Sequence, residues 1–314
     1  MVDIQEKIQK QLTKLANVLI NLATKYKTTG QWNKARELIQ FGLNSDISTT
    51  TKAELQVIIA EILLKQANFT QAEKLLARAQ EIAEKEDNKL LLGRINYWIG
   101  EKHYIYSFMK EESDYQTSLE YHNKSLIIRE QINDQKGMTH SLSRIGVIYE
   151  RQNDFETAME FHNKALKIGK KIRYPLGYER PLTHLGAYQE RINNLQEALK
   201  YYQQAMKIYE KYSDEEGRSF GLMNLGGIKY KINKNKEEYL EYLEEALIIA
   251  EKLGHKIAIC FMNYRLGMFY REISEEKRAL EIFRNLIEIS RPIGFKFVHG
   301  LAKNQIDELT SKAE

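Results

Sequence analysis

Leu142-Ser143-Arg144-Ile145-Gly146-Val147-Ile148-Tyr149 decides the fold, because it comes back three times. It returns as Leu182-Thr183-His184-Leu185-Gly186-Ala187-Tyr188 and as Leu222-Met223-Asn224-Leu225-Gly226-Gly227-Ile228-Lys229-Tyr230. The fourth copy is Asn263-Tyr264-Arg265-Leu266-Gly267-Met268-Phe269-Tyr270. The glycines stand 40, 40 and 41 residues apart. Self-similarity at a period between about 20 and 50 residues marks a stacked array of small supersecondary units.

A second motif trails each glycine. Asp154-Phe155-Glu156-Thr157-Ala158-Met159-Glu160-Phe161-His162-Asn163-Lys164-Ala165 is matched by Asn194-Leu195-Gln196-Glu197-Ala198-Leu199-Lys200-Tyr201-Tyr202-Gln203-Gln204-Ala205. The two alanines lie seven residues apart, two helical turns, and so share one face. Each unit is expected to be an antiparallel helix pair in which the small Gly meets this Ala, allowing close approach.

Weaker copies extend the array backwards. Tyr115 to Ile128 aligns with Phe155 to Ile168, with Ser118 and Ser125 in place of the alanines. Its first helix keeps Gly100, but Gly100 and Ser118 are 18 residues apart where Gly146 and Ala158 are 12 apart. The third unit therefore carries an insertion or a longer first helix, and could be a hinge. Ala60 with Ala72, and Ala23 with Ala35, restore the spacing of 12. Turn formers punctuate the units at Thr29-Gly30, Asn68, Asp87-Asn88, Asn153-Asp154, Asn193-Asn194, Asn233-Lys234-Asn235 and Gly254-His255.

This pattern resembles the tetratricopeptide repeat. The shared positions are the first-helix Leu-Gly, the Tyr three residues later in two units (Tyr149, Tyr270), and the second-helix Ala-x-x-Tyr/Phe-x-x-x-Ala. The family period is about 34 residues, so these units carry about six more, adding about 9 Å of helix per pair. The usual closing proline is absent. Long-period arrays of this kind resemble those of kinesin light chains and of Leu-Gly-Asn-type adaptors. The implied fold is all-α: a right-handed α-solenoid of about seven helix pairs with a C-terminal capping helix. The whole chain, 1–314, is expected to be one superhelical domain. The units span about 10–46, 50–86, 88–133, 136–173, 176–213, 216–254 and 257–291, and the cap spans 295–312. Lys303, Asn304, Asp307, Glu308 and Lys312 give that cap the polar outer face a terminal unit needs.

Composition agrees with such an array and excludes other classes. The 314 residues include three prolines and one cysteine, with a net charge of +4. A single Cys260 permits no internal disulfide and no cysteine cluster; among Ile257, Ile259 and Phe261 it reads as a buried, inert thiol. No apolar run reaches the roughly 18 residues of a membrane span, and the N-terminus lacks a leader's apolar core. A cytoplasmic location and no membrane partner are expected. Basic residues form no block suited to nucleic acid. The short stretch from Lys167 to Arg173 reads as a solvated helix end.

The seven histidines are scattered, and no phosphate loop, dinucleotide fingerprint or His-Glu-x-x-His pair occurs. No catalytic group, cofactor or metal site is expected. His122 and His162, at equivalent places in their units, read as packing residues.

The resemblance also implies which side chains line the concave face: those two and six residues before each Gly, and five after. These give Arg144, Arg180, Arg191, Asn224 and Arg265 as the leading peptide-binding candidates, with His140, His184, Arg151 and Lys231 beside them. Phe220, Phe261 and Tyr264 could seat an apolar anchor. Arginine grips carboxylates with a planar fork and Asn pairs with peptide groups. The alternative use of the same arginines is pairing with Glu150, Glu179 and Glu190. The third unit's Tyr97, Tyr104, Tyr106, Tyr115 and Tyr121 could form a second contact surface or core. The functional expectation is a non-enzymatic scaffold or adaptor that holds an acidic or extended peptide segment. The alternatives are a peptide-responsive sensor and a self-assembling array, so a homo-oligomer is possible.

Overall fold

The computed structural model describes residues 2–111 and 115–311. All regular structure among them is helical. The helices run in pairs: α1 (Val2–Thr28) with α2 (Trp32–Asn44), α3 (Thr49–Lys65) with α4 (Phe69–Lys85), and α5 (Lys89–Lys110) with α6 (Gln116–Gln131). Then come α7 (Gln135–Arg151) with α8 (Phe155–Lys171), and α9 (Glu179–Arg191) with α10 (Leu195–Tyr212) after a 3-10 turn at Pro175–Gly177. The last pairs are α11 (Glu215–Asn233) with α12 (Lys236–Leu253) and α13 (Lys256–Glu272) with α14 (Glu276–Ser290), closed by α15 (Lys296–Thr310). Each helix packs chiefly on its neighbours in sequence, giving a right-handed α-solenoid of seven helix pairs and a C-terminal helix. Lys312, assigned to the cap from sequence, lies outside the described residues.

The turns follow from local chemistry. Asn133, Asn153 and Asn193 take left-handed backbone conformations, with φ of 53°, 63° and 61°, which Asn tolerates better than most residues. Asp134, Asp154 and Asp214 then cap the next helix, accepting from the amides of Gly137, Thr157 and Gly217 at 2.9, 3.1 and 3.0 Å. Such caps contribute about 1 kcal/mol each.

Inside the pairs the glycines have a different partner from the one expected. A Cβ on Gly146 would lie 2.7 Å from the His162 ring, one on Gly186 2.9 Å from Tyr202, and one on Gly267 2.7 Å from Phe283. On Gly100 it would sit 2.7 Å from His122, and on Gly226 2.5 Å from the Cβ of Tyr242. Each glycine is thus the hollow for a ring of the second helix, which at Gly100, Gly146, Gly186 and Gly267 stands four residues beyond that helix's small residue. In the third unit the buried hydroxyls of Ser118 and Ser125 donate to the carbonyls of Gly100 and Gly93 at 2.9 and 2.7 Å. These two buried hydroxyls are satisfied rather than orphaned.

The 18-residue spacing of the third unit comes from a longer first helix. α5 has 22 residues where α7 has 17. Its last turns cross the inside of the solenoid. Phe108 packs against Phe261, Phe295 and Phe297 with ring centroids 5.7, 5.7 and 5.3 Å away. One extended helix thereby ties the middle of the array to its C-terminal end. Farther along, Trp32 meets His255 at a tilt with ring centroids 5.8 Å apart, and Lys65 pairs with Glu216. The superhelix is closed on itself.

Candidate functional site

Closure leaves one walled space on the inner face, a cavity of about 420 Å³. Its wall is built from the first helices of six units. α1 supplies Thr24, Lys27 and Thr28, α3 supplies Glu61 and Lys65, and α5 supplies Leu90, Arg94, Tyr97 and Trp98. Arg129 and Asp134 come from the α6–α7 corner, and Lys136, Gly137 and His140 from α7. Tyr174 and Leu176 form one side beneath Glu179 and Arg180 of α9, with Asp214 and Glu216 beside α11. This inward presentation is a property of the stack: the first helix of each pair lines the hollow and the second faces out.

The wall is mixed in charge. Lys27 and Lys65 both hold Glu61, at 2.7 and 2.9 Å, and Lys65 also holds Glu216. Burial opposes ionisation of Glu61 and Glu216, yet the lysines outweigh it. Glu61 is pulled down to about 2 and Glu216 falls well below the ordinary carboxylate range. Arg129 donates to the carbonyl of Gly137 at 2.6 Å and to Ser141 at 2.9 Å. Glu179 is different. It is 5% exposed, one of its oxygens has no hydrogen-bond partner, and burial pushes its carboxyl up to about 7 against the pull of Arg180. A buried acceptor left unpaired costs about 1–3 kcal/mol.

Among the sequence-derived candidates, two line this cavity. Arg180 donates to Tyr97 Oη at 3.4 Å. His140 lies 3.4 Å from Tyr174 Oη, and burial holds its imidazole down to about 3, so it is neutral. Three others are engaged by α5 or by the neighbouring unit. Arg144 donates to Glu101 at 2.7 Å and covers the Tyr104 ring at 4.6 Å. Arg151 donates to Tyr104 Oη at 3.2 Å and covers Phe108 at 4.4 Å. His184 meets Glu150 at 2.9 Å.

The remainder sit away from the cavity. Arg191 is exposed over Phe155 at 3.8 Å, and Lys231 pairs with Glu190 at 2.7 Å. Arg265 is exposed and Asn224 half-buried. Phe220 packs edge-on to His255 at 6.0 Å, Phe261 on Phe108 and Phe295, and Tyr264 on Phe283 at 6.1 Å. Of the third unit's tyrosines, Tyr97, Tyr104 and Tyr115 are buried, Tyr106 is exposed, and Tyr121 stacks on His103 at 5.7 Å. Cys260 is fully buried, which raises its thiol to about 12.

Sequence reasoning missed Glu61, Lys65, Arg94, Arg129, Glu179 and Glu216. Glu61, Lys65, Arg94 and Arg129 belong to the first three units, whose weaker repeats set no concave register, and Glu179 and Glu216 fall outside the register of theirs. Glu179, next to Arg180, is such a near miss. The arrangement can hold a ligand by hydrogen bonds and charge. At about 420 Å³ it lies in the range of about 300–1,000 Å³ usual for ligand sites.

A stack of paired helices wound round a walled hollow defines the class, an α-solenoid. Residues 107–171 and 182–215 each match a family model described as tetratricopeptide repeat. Those residues of the chain carry tetratricopeptide repeats. No curated protein matches the chain. Solved structures do. A Rap protein complexed with competence and sporulation factor superposes with a TM-score of 0.63 at 15% identity, covering 94% of this chain and 85% of that one. NprR in complex with its cognate peptide NprX gives 0.64 at 15%, covering 99% and 86%. The Rap conjugation gene regulator of plasmid pLS20, with the Phr* peptide, gives 0.65 at 13%, covering 88% and 72%. At these identities the likeness is one of fold. No helix among the described residues is long and apolar enough to cross a membrane.

Proposed function

We propose that the chain acts as one superhelical binding domain that encloses an extended peptide segment carrying at least one carboxylate, without catalysing a reaction. The observation that carries this reading is the walled cavity assembled from six first helices. An elongated inner wall suits a ligand that presents repeated small contacts, as an extended peptide does. The three structural neighbours above are complexes with a factor or a peptide, which supports the same ligand class. The exposed Lys136, with Arg94 in a long ion pair to Glu54 at 3.4 Å, stands at the cavity wall and supplies the positive end.

A peptide-responsive sensor is favoured over a passive adaptor by one feature. The contacts that close the superhelix, Lys65 with Glu216 above all, are themselves part of the cavity wall. A ligand that competes for Lys65 or Glu216 changes the balance between closed and open solenoid.

The test is selection of a random peptide library on the immobilised full chain, then titration of a selected peptide against Arg94→Glu/Lys136→Glu. Both side chains are peripheral, so circular dichroism is expected to match the parent. Selection of carboxylate-bearing peptides, with binding lost in the double variant, supports the reading. Enrichment of no peptide, or unchanged affinity in the variant, overturns it. Light scattering across a concentration series separates the self-assembling alternative, which requires growth in mass.

A further inference from the structure

We propose that Glu150, His162 and His184 form a site for a divalent transition-metal ion, of which zinc is the type, at the joint between the fourth and fifth units. The three side chains come from α7, α8 and α9. Their ligating atoms lie within 4.8 Å of one another. Glu150 Oε1 is 3.1 Å from His162 Nε2 and Glu150 Oε2 is 2.9 Å from His184 Nδ1. The two imidazoles are stacked 4.7 Å apart and parallel to within 1°. Two nitrogens and a carboxylate match in kind the donor set of zinc sites with three protein ligands and an open fourth position, once the partly exposed His184 ring tilts out of the stack to bring its lone pair onto the ion. Bonds of about 2.0–2.1 Å call for ligand atoms a little over 3 Å apart. Glu150 and His184, with side chains 20% and 27% exposed, have the room to close on an ion. The same exposure leaves the fourth position open to water.

The repeat itself supplies the control. At the next joint the three equivalent positions hold Glu190, Tyr202 and Asn224, and Tyr202 donates to Glu190 at 2.9 Å. At the preceding joint they hold Tyr104, His122 and Arg144, where the guanidinium already supplies a positive charge. Only at the joint between units four and five do all three positions carry ligands. A lone ring at this position, Tyr202, Phe283 or His122, serves packing elsewhere, whereas a second histidine on the same carboxylate, His184, is found at this joint.

The nearby guanidinium of Arg144 is offset by its ion pair with Glu101. On binding, each imidazole nitrogen that faces Glu150 offers its lone pair to the ion and carries its proton on the other ring nitrogen. No covalent bond forms or breaks in the ligand set otherwise.

The test uses the full chain stripped with a chelator and titrated calorimetrically with zinc chloride, followed by cobalt(II) absorption as a geometry readout. One equivalent of zinc is expected, with a rise in the melting temperature. His184→Ala, a partly exposed position, is expected to fold normally. It should weaken binding by more than the roughly 10–100-fold that loss of an outer-shell partner causes, and Glu150→Gln should act likewise. His299→Ala, remote in sequence and space, should change nothing. Absence of saturable binding, or equal zinc affinity in His184→Ala and parent, overturns the site.

Discussion

Lys65, at the end of α3, and Glu216, in the first turn of α11, form an ion pair across 151 residues of sequence. That pair is where the superhelix shuts. Lys65 also holds Glu61 at 2.9 Å and stands 5.8 Å over the Trp32 ring, while Glu216 lies 3.5 Å from His255. Burial opposes the charge on Lys65, but Glu216 and Glu61 more than compensate and its ammonium is held above its ordinary value.

Breaking one side of this pair strands the other charge. Lys65→Met is expected to cost about 3 kcal/mol, near the low end for a buried pair. The double variant Lys65→Met/Glu216→Gln is expected to cost less than the two single changes together. Urea unfolding of all four proteins gives the coupling. Small-angle scattering should show a larger radius for Lys65→Met. Strict additivity, with no change in radius, would show that the pair does not close the superhelix.

The glycines divide into two kinds, and substitution should separate them. In Gly146→Ala the new methyl would lie 2.7 Å from His162. That ring is fixed between His184 and Glu150, so overpacking of about 1–3 kcal/mol is expected. In Gly227→Ala its one tight neighbour would be the guanidinium end of exposed Arg265, at 3.0 Å, which can swing aside, with Tyr239 Oη in ordinary contact at 3.9 Å. There the helix gain of up to about 1 kcal/mol should dominate. Thermal melts of the two variants should move in opposite directions.

Phe108 should behave as a core residue although it lies on the inner face. It is 9% exposed and touches rings from α13 and from the segment that opens α15. Phe108→Ala is expected to cost about 3–5 kcal/mol. Hydrogen exchange should quicken in α15 and α13 but not in α4. A uniform loss of protection would mean that α5 is not a separate tie.

Glu179 gives a pH signature with a definite sign. Its folded value of about 7 lies above the ordinary 4.5, so the native state holds this proton where the unfolded chain has lost it. Stability from this group is therefore fully present below about pH 4.5, falls as pH rises to about 7, and is flat above. Glu179→Gln removes the ionised form and should stabilise the protein at pH 8 by about 3 kcal/mol, given 1.36 kcal/mol per unit over the rise from 4.5 to about 7. At pH 4.5 the gain should vanish. Equal gains at both values would exclude a buried, ionising Glu179.

Much of this architecture is legible in the sequence because helix pairing here is set by small residues at a fixed interval. Gly146, Gly186, Gly226 and Gly267 locate four pairs, and Asn153, Asn193 and Gly254 locate turns. What each glycine receives is not legible from spacing alone, since a methyl and a ring four residues on lie on the same face of α8 or α10. The inner wall is harder still. The irregular unit signals a longer helix, but not that its last turns cross the hollow and engage Arg144 and Arg151. Contacts such as Lys65 with Glu216 depend on superhelical pitch, a global quantity that no single repeat encodes. Glu150, His162 and His184 stand on three helices, 12 and 22 residues apart in sequence, and match no local motif.

The most direct measurement is hydrogen exchange of the full chain with and without a peptide selected on it. Protection is expected along the inner helices: the end of α3, the first half of α5, and the starts of α7, α9 and α11. The outward α4, α8 and α10 should be unchanged. Protection confined to those outer helices, with the inner wall exchanging as before, would contradict a ligand held in the hollow.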